Sequence, residues 1–123
     1  MKFDVYAENC PTRLVMDRIA DKWAVLVLVK LSAGKMRFNQ LRREIEGISQ
    51  KVLSQLLKKL ERDGLVSREV FPTVPVTVEY AITPLGQTLT ATVSALTVWA
   101  EENMPRIIEA QRRYDGVEAR ESA

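Results

Sequence analysis

Gln50, Lys51, Ser54, Gln55, Lys58, Lys59 and Arg62 recur at spacings that gather them on one side of a helix. With Gln50 at ~0° and ~100° per residue, all seven fall between about 0° and 180°. Val52, Leu53, Leu56, Leu57 and Leu60 fall between about 200° and 340°, and Glu61 lies to the side at ~20°. One face can pack; the other offers four cations, two amides and a hydroxyl. A glutamine amide can bond adenine bidentately, a lysine can reach guanine acceptors, and cations neutralise phosphates. A polar face taken alone is also what any solvated surface helix shows.

The second reactive group is Cys10, the one cysteine of the chain. It precedes Pro11, and proline is favoured at the first helical position. That sets the thiol beside the unpaired N–H groups of a helix start, where the dipole favours the thiolate. Arg13 can add positive charge one turn on. Without a second cysteine, oxidation must give an intersubunit disulfide, a mixed disulfide with a small thiol, or sulfenic acid. The plainer reading of Cys10 is a small apolar residue near a helix start. Histidine is absent, which removes Ser-His-Asp and Cys-His catalysis, the usual zinc enzymes and the ordinary pH switch. A lone thiolate excludes a multi-cysteine metal site. The five scattered glycines form neither G-x-x-x-x-G-K nor G-x-G-x-x-G, so nucleotides have no cradle. The expectation is a binding protein without catalytic activity, metal or cofactor.

The elements that must position these groups fit one domain of 123 residues, with a core at about 8–103. No apolar run approaches the ~20 residues of a membrane span. Met1-Lys2-Phe3-Asp4 lacks the apolar stretch of a signal peptide, and no membrane partner is expected. Cys10 near an N-cap and Pro11 start a first helix, whose Leu14, Val15 and Ile19, with Trp23 beyond, share an apolar face. Asp21 caps a second, nearly all-apolar helix through about Leu31, ended by Ser32-Ala33-Gly34. Met36-Arg37-Phe38 reads as extended. A short helix from about Asn39 to Glu46 turns Leu41 and Ile45 inward and Arg42, Arg43 and Glu44 outward; Arg43 can pair with Glu46 at i, i+3. Gly47 closes this helix and Ser49 caps the next, Gln50–Asp63, which Gly64 ends. Leu65–Phe71 and Thr77–Ile82 alternate as strands of a hairpin around a proline-braced loop. Thr83-Pro84 starts a long helix to about Asn103, apolar at Leu85, Leu89, Val93, Leu96, Trp99 and Ala100. Pro105 restarts a short helix to about residue 114, before a frayed tail at 115–123.

Helix, helix, short strand, helix-turn-helix, hairpin, helix is the order of a winged helix-turn-helix: mainly α with a small antiparallel β-hairpin, an α+β fold. The chain also resembles the HxlR-type bacterial transcriptional regulators. The matching stretches are Cys10-Pro11, Asp21-Lys22-Trp23, Met36 to Leu41, Gly47 to Leu53, Leu60 to Val66, Val78-Glu79-Tyr80 and Thr83 to Gly86. The resemblance spans about residues 8–103, and its strength lies in the order of the stretches rather than in any one of them. It implies a cytoplasmic homodimer that binds double-stranded DNA and joins through its N- and C-terminal helices. It also implies that Cys10 stands where some members sense oxidants or electrophiles. One departure touches the wing. Members often carry a basic residue just before Val-Glu-Tyr, whereas Pro75-Val76-Thr77 stands there in this chain.

The charge distribution agrees with that reading. Residues 35–62 hold eight basic and three acidic side chains, a net of +5, against 10 basic and 13 acidic, or −3, elsewhere. In a helix-turn-helix the recognition helix directs its N-terminal residues at base edges. Gln50, Lys51, Ser54 and Gln55 are therefore the base-reading candidates. Lys58, Lys59 and Arg62, further along, meet phosphates or water; Arg37, Arg42, Arg43 and, through its hydroxyl, Thr77 are phosphate candidates, and Ser49 is a further DNA-binding candidate. Trp23 reads as core. Leu96, Trp99, Ile107 and Ile108, joined by Phe3, Val5 and Tyr6, exceed the apolar surface one small domain covers and are dimer-interface candidates. Two-fold symmetry implies a palindromic operator. The competing class is a winged helix used only for protein–protein contact.

Overall fold

The structure, a computed structural model, describes residues 2–122. Among them the elements run α1 (Thr12–Ala20), α2 (Lys22–Ser32), β1 (Met36–Arg37), α3 (Phe38–Glu44), α4 (Gln50–Arg62), β2 (Val66–Phe71), β3 (Thr77–Ile82) and α5 (Pro84–Ser122). α2 is the hub, packing on α1, α4, α5 and β3. Its Ala24, Val27, Leu28 and Leu31 are almost fully buried. Asp21 caps it by accepting the N–H groups of Trp23 and Ala24 at 2.8 and 3.3 Å. The core continues through Leu41, Ile45 and Ile48, the α4 leucines, Val66 and Val93.

The short extended piece becomes the third strand of an antiparallel sheet, ordered β1-β3-β2. Met36 pairs with Tyr80 and Arg37 with Glu79, while Val66–Phe71 pairs with Ile82–Thr77. The expected hairpin is therefore two thirds of the sheet. Phe38 is not extended but opens α3, turning its ring onto the core. α3 stops at Glu44, two residues early, because Ile45 leaves helical geometry to bury its side chain. Gly64 closes α4 with φ of 77°, and Gly47, three residues beyond the end of α3, turns the chain toward Ser49 with φ of 91°, values at which a Cβ would clash with the following carbonyl.

The helical start at Pro11 is one residue later than expected: Pro11 is the N-cap and Thr12 the first helical residue. α1 buries none of its residues, so Leu14 and Val15 face outward and only Ile19 leans on the core. α5 does not break at Pro105 or fray at 115; it continues to Ser122, and Ala123 lies outside the described residues. Proline removes one N–H there and costs about 3 kcal/mol. Strong helix formers on both sides outweigh it, aided by Asn103 Nδ2 donating to the Trp99 carbonyl at 2.9 Å and Arg113 pairing with Glu109 at 3.2 Å.

One junction fixes α5 against the hairpin. Thr83 Oγ1 donates to the Gly64 carbonyl at 2.6 Å and accepts from Gly86 N–H at 3.0 Å. Thr83 N–H donates to the Leu65 carbonyl at 3.1 Å. This brings the backbone at Gly86 so near Leu65 that a Cβ would overlap the Leu65 carbonyl oxygen and the Ile82 side chain. Gly86→Ala is expected to destabilise the fold by about 1–3 kcal/mol, read as a lowered denaturant midpoint with an unchanged slope.

Candidate nucleic-acid interface

α4 exists because its two faces separate. Ser49 caps it, accepting the Val52 N–H at 3.1 Å. Leu53, Leu56, Leu57 and Leu60 are at most 5% exposed and dock on α2 and β2. That leaves Gln50, Lys51, Gln55, Lys58, Lys59 and Arg62 exposed and Ser54 half-buried. Val52, assigned inward from its angle, is instead 37% exposed. It sits at the margin of the apolar arc and lines a groove of about 350 Å³ with Trp23, Asp17, Asp21 and Gln55. Trp23 is half-buried against the core rather than inside it. Arg18 Nε meets Asp63 Oδ2 at 2.7 Å, pinning the C-terminal end of α4 to α1.

Arg37, Arg43 and Thr77 are brought together across chain segments far apart in sequence. They line one cleft of about 670 Å³, with Phe38, Asn39 and Gln40 on the α3 side, Val76 at the end of the hairpin loop and Val78 on β3. Arg42 lies outside it, beside Asn39 and Arg43. Thr77 is half-buried, its Oγ1 3.2 Å from Thr73 Oγ1. Of the eight cations between residues 35 and 62, Lys35 alone forms an ion pair among the described residues, with Glu79 at 3.6 Å. Glu44 is taken by Lys30 at 3.9 Å, and Arg43 does not pair with Glu46. Among the described residues the cations of α4 thus stand without ion-pair partners, and they hold a positive field over α3 and α4. Lys59 differs from the rest, since Asp17 and Asp21 share its groove and offset its charge.

Cys10 lies in a different part of the molecule. Residues 4–10 form successive turns, with Ala7 N–H donating to the Asp4 carbonyl and Cys10 N–H to the Ala7 carbonyl at 3.0 and 3.1 Å. Arg13 does not support the thiol as expected. Its guanidinium donates to the Val5 and Tyr6 carbonyls at 3.0 and 2.9 Å, clamping these turns onto α1. The thiol's partner is Thr12, whose Oγ1 lies 2.9 Å from Cys10 Sγ. A hydroxyl donating to sulfur favours the thiolate, so Thr12 lowers the Cys10 pKa; partial desolvation opposes this and backbone N–H groups assist. Thr12 was legible only as a helix residue, because its role depends on the Pro11 cap turning its hydroxyl back toward residue 10.

The interface candidates are half or more exposed at Phe3, Tyr6, Leu96 and Trp99, while Val5 and Ile108 are 36–37% exposed and Ile107 is half-buried. Leu14, Val15 and Met16 of α1 are likewise exposed apolar side chains.

The molecule is a winged helix whose second helix-turn-helix element is polar and cationic outside and leucine-packed inside, and residues 18–108 match the family model of the HxlR-like helix-turn-helix. The chain belongs to the HxlR-like helix-turn-helix family. It is 45% identical over 105 residues to the HTH-type transcriptional regulator YtfH of Escherichia coli K12, covering 85% of this chain and 83% of that one. The solved transcriptional regulator YtfH from Salmonella typhimurium superposes with a TM-score of 0.83 at 44% identity, covering 91% of this chain and 99% of that one. The redox regulator HypR in its oxidised form superposes with a TM-score of 0.71 at 40% identity, over 76% and 97% of the two chains. These relatives of the HxlR-like chain are transcriptional regulators rather than enzymes. No helix of its described residues is long and apolar enough to cross a membrane.

Removing the Thr12 hydroxyl should raise the Cys10 pKa toward its ordinary value. In the HxlR-like chain, Thr12→Val is therefore expected to shift the midpoint of pH-dependent thiol alkylation upward relative to wild type. An unshifted midpoint would show that the hydroxyl donates elsewhere.

Proposed function

We propose that this protein is a homodimeric, sequence-specific regulator of transcription that binds double-stranded DNA through α4. The observation that carries the reading is the set of α4 cations without ion-pair partners among the described residues, on a face whose opposite side packs Leu53, Leu56, Leu57 and Leu60 into the core. Unpaired like charges on one surface repel one another and contribute nothing to folding; phosphate oxygens neutralise them and release counterions. Gln50, Lys51, Ser54 and Gln55, at the N-terminal half of α4, meet base edges in the major groove. Ser49, Lys58, Lys59, Arg37, Arg42, Arg43 and Thr77 meet the backbone, with Lys59 the weakest for the reason given above. The uncovered apolar residues of the N-terminal turns, α1 and α5 form the interface of a two-fold dimer. Its two α4 helices enter major grooves about 34 Å apart on a palindromic operator. Such a regulator works in the cytoplasm.

A second layer rests on a specific observation, the Thr12 hydroxyl at the Cys10 sulfur. It favours a reactive thiolate beside apolar residues assigned to the subunit contact, and a redox regulator is among the similar structures. Oxidation of Cys10 then changes the dimer and, through it, the spacing of the two α4 helices.

Gln50→Ala or Gln55→Ala is expected to lower discrimination between operator and random duplex by about 1–3 kcal/mol. Lys58→Ala should weaken both alike and flatten the salt slope by about one unit per chain. Specificity that survives both glutamine changes would mean that another face reads the bases. Diamide is expected to change operator affinity in the wild type and leave Cys10→Ser unaffected; equal responses in the two would remove the redox layer alone.

A further inference from the structure

The groove of about 350 Å³ between α1, the start of α2 and α4 is chemically unlike the cleft of Arg37 and Arg43. Three apolar side chains line it: Trp23, half-buried at the start of α2, and Val52 and Leu56 of α4. Asp17 of α1 and Asp21, the cap of α2, add two carboxylates, and Gln55 and Lys59 complete the α4 side. Arg18 also borders the groove, but its guanidinium is taken by Asp63 at 2.7 Å. Asp17 forms no ion pair among the described residues. Asp21 spends Oδ1 on the N–H groups of Trp23 and Ala24, and its Oδ2 accepts no hydrogen bond among the described residues. Lys59 alone opposes the two carboxylates. The groove therefore carries excess negative charge beside a segment, residues 35–62, whose net charge is +5.

That charge disfavours a phosphate and favours a cation. A metal ion is poorly served, because no group of three or more acidic or sulfur ligands gathers among the described residues. Two exposed carboxylates also hold a small hydrated cation weakly, since water screens them. An organic cation brings apolar surface of its own, which the indole, Val52 and Leu56 can cover. The face of an indole attracts a cation as well. Trp23 already shows this within the chain, with Lys22 Nζ 4.7 Å from its ring centroid. The volume falls at the lower end of small-molecule sites, about 300–1,000 Å³. A few charged groups on an apolar lining is also how such sites gain specificity.

We propose that this groove binds a hydrophobic organic cation of one or two aromatic rings, with its charge beside Asp17 and Asp21 and its rings against Trp23 and Val52. The occupant lies against Gln55 and Lys59. Resting on the DNA-binding reading above, it therefore competes with the duplex for that side of α4. A lipophilic cation is then a signal that releases the protein from DNA without any change at Cys10.

The test uses the full chain, with benzyltrimethylammonium as the probe and N,N-dimethylbenzamide as a neutral control of similar size. The first readout is the NMR shift of the Trp23 indole N–H. The cation is expected to move this resonance saturably and to bind more tightly than the amide. Asp17→Asn and Asp21→Asn should each weaken the cation about two- to fivefold, and the double variant should bind cation and amide alike. Both positions are exposed, and asparagine still caps α2, so the fold is retained. The second readout is affinity for a duplex selected by the purified protein from a randomised pool. The probe should weaken duplex binding in step with its occupancy in the wild type, and should not do so in the double variant. Equal binding of cation and amide to the wild type, or a preference that persists in the double variant, would overturn the site. A cation that fills the groove without displacing the duplex would overturn the competition. Loss of binding to every duplex without probe would remove the DNA-binding reading and the competition with it, while the indole shift still decides the site.

Discussion

The packing of the α4 leucines against α2 is the interaction on which the rest of the molecule depends. Leu53, Leu56, Leu57 and Leu60 meet a helix whose own Ala24, Val27, Leu28 and Leu31 are closed off from solvent. Each buried leucine contributes about 1.5–3 kcal/mol. Together they fix how α4 is rotated about its axis. A turn of one residue, ~100°, would bring Gln55 or Lys58 toward the core, where an unpaired polar or charged group costs more than a leucine gains. The outward direction of the polar face is therefore a consequence of the core. The caps act with it: Ser49 satisfies an N–H at one end and the Arg18–Asp63 pair holds the other.

The sheet plays the same role for the second half of the candidate site. β1 is only two residues long, yet its pairing with β3 brings Arg37 next to Glu79 and sets α3 beside the hairpin. Without that pairing Arg43 and Thr77 would not border one cleft. The Thr83–Gly86 junction then ties the base of the hairpin to α5, so that the wing, α4 and the long helix form one connected frame. If α5 and α1 join two chains, a change at that contact is carried to α4 through α2, which touches all of them.

What could be read from the residues depended on how local the cause was. The 3.6-residue period of α4, its Ser49 cap and the Gly64 that ends it act within a turn or two, and the structure has them where the spacing predicts; Gly47 instead sits in the turn after α3, which Ile45 has already ended. β1 was harder, because two residues carry no period and the strand exists only through a partner more than forty positions away. Val52 and α1 mark another limit. Periodicity identifies an apolar face but does not say whether the chain has anything to lay upon it. At Pro105 a local rule predicted a break, and the helix formers on either side outweighed it. The Cys10 thiol stands beside a helix start as its spacing predicts, but the added positive charge expected from Arg13 is turned away, its guanidinium donating to the carbonyls of residues 5 and 6. Such a choice among nearby donors depends on loop geometry that spacing does not encode.

The central claim is that paired α4 helices read the major groove. Methylation interference at guanine N7 tests it most directly, since N7 lies in the major groove and is reached by none of the wing contacts. With a duplex retained from the source genome, the account predicts two patches where N7 methylation abolishes binding, on one face and about one helical turn, ~34 Å, apart. Binding that tolerates methylation at every guanine, or a single patch without a symmetric mate, would contradict it.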